Sequence, residues 1–83
     1  MPLEVPVRSL HATHPDTLVG EWSTWMEALR LSLEFARRCS PHGRDYSADG
    51  LSAAQKQHAK WMASIETTLI EVEEMAIQYI TRG

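Results

Sequence analysis

The sequence predicts an all-α protein: a two-helix antiparallel hairpin with an extended N-terminal arm, pairing with a second hairpin into a four-helix bundle. Three observations lead there. Ala54, His58, Trp61, Ile65, Thr68, Val72, Met75 and Tyr79 follow one another at alternating steps of four and three, the repeat that keeps one helix face turned to a partner. Leu18, Trp22, Trp25, Met26, Leu29, Leu33 and Ala36 recur upstream at similar spacings. Between the two stripes lies SPHGRDYSADG, whose Pro, Gly and Asp punctuate a loop.

Each element follows from its residues. Residues 1–12, MPLEVPVRSLHA, alternate apolar and polar at Leu3, Val5 and Val7 and carry Pro2 and Pro6. Proline removes a ladder donor and biases its predecessor to extended backbone, so this stretch reads as an extended arm or edge strand. Thr13, Pro15 and Asp16 then signal a helix start. The Thr13 hydroxyl would accept an amide of the first turn, Pro15 sits where no donor is missed, and Asp16 faces the positive end of the dipole. The first helix is expected over 15–39, with Gly20 weakening its opening turns by about 1 kcal/mol relative to Ala. Leu31 and Phe35, one turn apart, fall on its opposite side.

The loop is expected over 40–50, where Pro41 ends the first helix, Gly43 allows a positive φ, Ser47 or Asp49 caps the second helix and Tyr46 serves as an anchor. The second helix is expected over 51–81, about 45 Å at the usual rise. Met62, Leu69, Ala76 and Ile80 widen its stripe, and Ala59, Ala63, Ile70 and Ile77 form a fainter one on the far side.

Eighty-three residues make one domain, and a small one. An apolar fraction of 43% with 23% charged residues is that of a folded chain rather than a disordered one. A single cysteine, Cys39, excludes an intrachain disulfide, so stability has to come from packing. No run approaches the roughly 20 apolar residues of a membrane span, and Glu4 with Pro2 and Pro6 replaces the basic start and apolar centre of a secretory leader. A cytoplasmic protein with no membrane partner is expected. Two helices joined by one loop bury one face each, and the second apolar faces then call for a homodimer, a docked partner, or the arm as a cover.

Catalytic and metal sets do not assemble. His11, His14 and Asp16, or Cys39 with His42, give only part of a ligand set, and local helix start and helix end explain them. Cys39 with His42 or His58 lacks a group to orient the base. His58 sits in the main stripe, where a hydrogen bond to the other helix is the ordinary role. Adjacent Glu73 and Glu74 diverge by about 100° on a helix and cannot act as an acid and base pair. Neither an enzyme nor a cofactor is expected. Trp22 and Trp61 fall in the packing stripes, and the tryptophans beside Glu21 and Glu27 are at an acidic end. Together with a net charge of -3, this argues against direct nucleic-acid binding.

Charge divides along the hairpin. Between residues 30 and 60, Arg30, Arg37, Arg38, Arg44, Lys56 and Lys60 outweigh Glu34, Asp45 and Asp49, a net of +3 at the loop end. In 10–29 and 61–83, Asp16, Glu21, Glu27, Glu66, Glu71, Glu73 and Glu74 face Arg82 alone, a net of -6 at the open end. Such asymmetry favours antiparallel association of two hairpins and steers a basic partner to the open end. Glu66, Glu71, Glu73 and Glu74 are expected to steer a larger protein with a basic surface, and Leu31 with Phe35 and Ile70 with Ile77 to anchor it.

The layout of two helices, a loop containing Pro41 and an amphipathic C-terminal helix ending in Ala76-Ile77-Gln78-Tyr79-Ile80 resembles secretion-needle subunits and their small helical chaperones. That likeness is one of architecture, and it implies a structural subunit or chaperone of a secretion-type assembly. In size, acidity and lack of catalytic residues the chain also resembles phage-borne inhibitors of host defence, anti-CRISPR proteins among them. That likeness implies a small module that binds and inhibits a larger complex, the favoured expectation.

Overall fold

The computed structural model describes residues 3–82 and is an all-helical hairpin. Helix α1 spans Pro15–Arg38, a single 3-10 turn spans Gly43–Asp45, and helix α2 spans Ala48–Arg82. The helices run antiparallel. His58, early in α2, meets Ala36 at the end of α1, while Trp22, early in α1, meets Tyr79 near the end of α2. The result is a rod of 59 × 24 × 18 Å.

Several boundaries differ from those expected. His14, not Thr13, caps α1, its Nδ1 accepting from the Asp16 amide at 3.2 Å. Gly20 does not break the helix, which is continuous from Pro15. Cys39 is the C-cap residue rather than the last helical one. Helix α2 begins three residues earlier than expected because Ser47 holds its first turn: its carbonyl accepts from Leu51 at 2.7 Å and its hydroxyl from Gly50 at 3.1 Å. Among the described residues no glycine has a positive φ, so Gly43 does not use that freedom. Tyr46 is half exposed and is not the anchor of the loop.

The core is thin. Among the described residues only Leu33, Val72, Ala76 and Tyr79 are buried. The seam of α2 runs through His58, Met62, Ile65, Leu69, Val72, Ala76 and Tyr79, all half or fully buried. On α1, Val19, Trp22, Met26, Leu29, Leu33 and Ala36 answer it. Trp25, Trp61 and Ile80, expected in the stripes, are instead about half exposed. A four-three repeat fixes a seam only to within one residue on either side, and the true seam lies one position on from both tryptophans, at Met26 and Met62. His58 performs the expected structural role, its Nε2 donating to the Ala36 carbonyl across 2.6 Å.

Tyr79 joins three segments. Its ring is 1% exposed and packs edge-on against Trp22 with centroids 5.2 Å apart. The Arg8 guanidinium lies 4.5 Å from the ring centroid on another side, and its Nη2 donates to the Tyr79 carbonyl at 2.9 Å. That carbonyl belongs to the last turn of α2, so Arg8 both caps the helix and complements its negative end. Residues 3–9 of the arm take neither helix nor strand, and a turn closes behind them with the Ala12 amide donating to the Ser9 carbonyl.

Two stability outcomes follow from this cluster. Among the described residues the Tyr79 hydroxyl is buried without a hydrogen-bond partner, and an unpaired buried polar group is costly. Tyr79→Phe should therefore leave stability unchanged or raise it by about 1 kcal/mol, while Tyr79→Ala should cost about 3–5 kcal/mol, both read by urea unfolding at fixed protein concentration. Arg8→Ala should remove a charge-assisted cap worth about 1 kcal/mol and lower Tm by roughly 4–8 °C, with faster amide exchange confined to the last turn of α2.

Candidate interaction surfaces

A hairpin of two amphipathic helices offers two broad faces and two outer edges. The pseudo-two-fold axis of an antiparallel pair stands perpendicular to the plane of the helices, so equivalent heptad positions of α1 and α2 fall on the same broad face. Trp25 and Trp61 are equivalent, each immediately preceding a seam methionine. They therefore share a face, together with Ala28, Ser32 and Phe35 of α1 and Thr68 and Met75 of α2. Trp25 is 49% exposed, Phe35 57% and Trp61 57%. The Arg38 guanidinium lies 5.0 Å from the centroid of the Phe35 ring.

The opposite broad face is polar, with Arg30 and Arg37 on α1 and Glu66 and Glu73 on α2 at the equivalent flank, all exposed. Beside it, on the outer side of α2, Ile70 and Ile77 lie two turns apart at 55% and 53% exposure. Helical spacing places Glu66 and Glu73 on one side of them and Glu74 on the other. Among the described residues the ion pairs are His14 with Asp16, Arg30 with Glu27, and Arg44 with Asp45, so none engages these glutamates.

The eight residues expected to bind a partner are thus all exposed, but they do not form one surface. Phe35 belongs to the tryptophan face, and Leu31 to the outer edge of α1. Ile70, Ile77, Glu66, Glu73 and Glu74 form a continuous strip on α2, while Glu71 is turned toward the other side. Sequence spacing identified each exposed residue and could not say how the two helices register. What it missed is the tryptophan pair, whose half exposure depends on a one-residue offset of the seam.

The described part of the arm, residues 3–12, does not cover these faces. Leu3 and Val5 are half-buried, but Val7 is 77% and Leu10 93% exposed, and Phe35, Ile70 and Ile77 stay open. What the arm does form is a shallow groove of about 300 Å³ at the open end, lined by Val5, Pro6, Val7, Arg8, Tyr79 and Arg82. Cys39 and His42 are exposed at the other end of the rod. Among the described residues no cluster of three His, Cys, Asp or Glu side chains could hold a metal ion. No described helix is long and apolar enough to cross a membrane. Comparison with known protein families, curated proteins and solved structures finds no match for this chain.

Proposed function

We propose that this chain is a small non-catalytic interaction module that binds a larger protein or complex and modulates or inhibits it by occupying one of its surfaces. The observation that supports this best is the strip on the outer side of α2. Two isoleucines stand half exposed in a frame of three carboxylates that form no ion pair among the described residues. Burying each isoleucine would contribute about 1.5–3 kcal/mol, enough to anchor a modest interface. The glutamates would raise the association rate for a basic partner and penalise acidic ones. The complementary partner has an apolar groove rimmed by Lys or Arg, of the width that accepts one helix edge.

A second reading, a structural subunit or helical chaperone, draws support from the rod shape, 59 Å long and 24 Å across at most. Rods of this kind pack side by side, and sedimentation would show it as concentration-dependent growth without a fixed end point.

The α2 strip is tested with two variants, Ile70→Asp with Ile77→Asp, and Glu66→Lys with Glu73→Lys and Glu74→Lys. Both should keep the helical circular-dichroism spectrum, because all five residues are exposed. The first should weaken binding to proteins retained from lysate by at least about 30-fold, and the second should slow association about 10-fold or more and abolish its salt dependence. Retention that is indifferent to both variants would remove the strip from the proposal.

A further inference from the structure

We infer that a second copy of this chain covers the tryptophan face, the two hairpins lying antiparallel about one two-fold axis. The exposed area leaves room for a copy of this size. The chain exposes 6365 Å², whereas a folded monomer of 9.4 kDa exposes about 5,000 Å². The excess of roughly 1,400 Å² exceeds the ~800 Å² that each partner buries in an interface of standard size. The radius of gyration agrees, at 17.8 Å against about 12 Å for a compact chain of this length.

The face is also complementary to itself. On α1, Trp25 and Phe35 are centred on Arg30; on α2, Trp61 and Met75 are centred on Thr68. These two centres sit at the same height of the hairpin. Their position numbers sum to 98, between the 94 of the Ala36–His58 contact and the 101 of the Trp22–Tyr79 contact. A single axis at that height therefore sets Trp25 against the partner's Phe35 along one seam and Trp61 against the partner's Met75 along the other. The small residues Ala28, Ser32 and Thr68 lie at the centre, where the helices approach. The rotation also lays the basic loop end, net +3, over the partner's acidic open end, net -6. The parallel alternative stacks like charge on like. This assembly uses a different face from the α2 strip and stands or falls independently of it.

Light scattering behind a sizing column should give twice the 9.4 kDa chain mass at about 100 μM. Trp25→Glu with Trp61→Glu should return it to the chain mass with its helical spectrum kept, while Ile70→Asp with Ile77→Asp should leave the dimer intact. The native Cys39, exposed near the loop end, provides the geometric check on the unmutated chain. Nitroxides attached there should lie about 25–30 Å apart in the antiparallel dimer, since each sits nine residues from the axis at ~1.5 Å per residue. A monomer at that concentration, a dimer that survives the tryptophan variant, or a Cys39 spacing under about 15 Å would each overturn the assignment.

Discussion

The packing of Tyr79 is the contact on which the hairpin most depends. Few side chains are buried in this chain, and this one touches α1 through Trp22, the arm through Arg8, and the last turn of its own helix through the carbonyl that Arg8 caps. At the other end of the seam a polar contact, His58 to Ala36, holds the register. Between these two pins the interface is filled by medium-sized apolar residues. The pins fix orientation and the filling provides affinity, a division suited to a protein with little interior.

That thin interior shapes what the surface can do. Aromatic and branched side chains that a larger domain would bury remain at half exposure, on two separate tracts of different character. One is aromatic and interrupted by small residues, with Glu71 beside its centre on α2. The other is aliphatic and framed by carboxylates. An aromatic tract with small neighbours favours close approach of like surfaces, whereas an aliphatic tract within a charged frame discriminates among unlike ones. A single hairpin thus has room for one contact that builds it and another that directs it.

Much of the architecture was legible from residue spacing. The helices, their antiparallel order, the loop and the role of His58 all follow from periodicity and punctuation, whereas spacing left open whether the arm covers the second apolar faces. What spacing could not resolve was phase. Trp61 and Met62 satisfy the same repeat, and only the opposing helix decides which of them enters the seam; Trp25 and Met26 pose the same choice. The glutamates and isoleucines of α2 were identifiable one by one, but the separation of Glu71 from its neighbours, and of Phe35 from Leu31, depends on the rotation of each helix about its axis. The capping of α2 by Arg8 had no local signal, since 71 positions separate donor and acceptor.

Helix α2 runs for 35 residues, and its one glycine stands in the first turn. With no proline to bend it, it acts as a spacer of fixed length. Ser47 and the basic loop at one end are held about 45 Å from Ile77 at the other. The acidic end of the rod is therefore kept at a constant reach from the basic one.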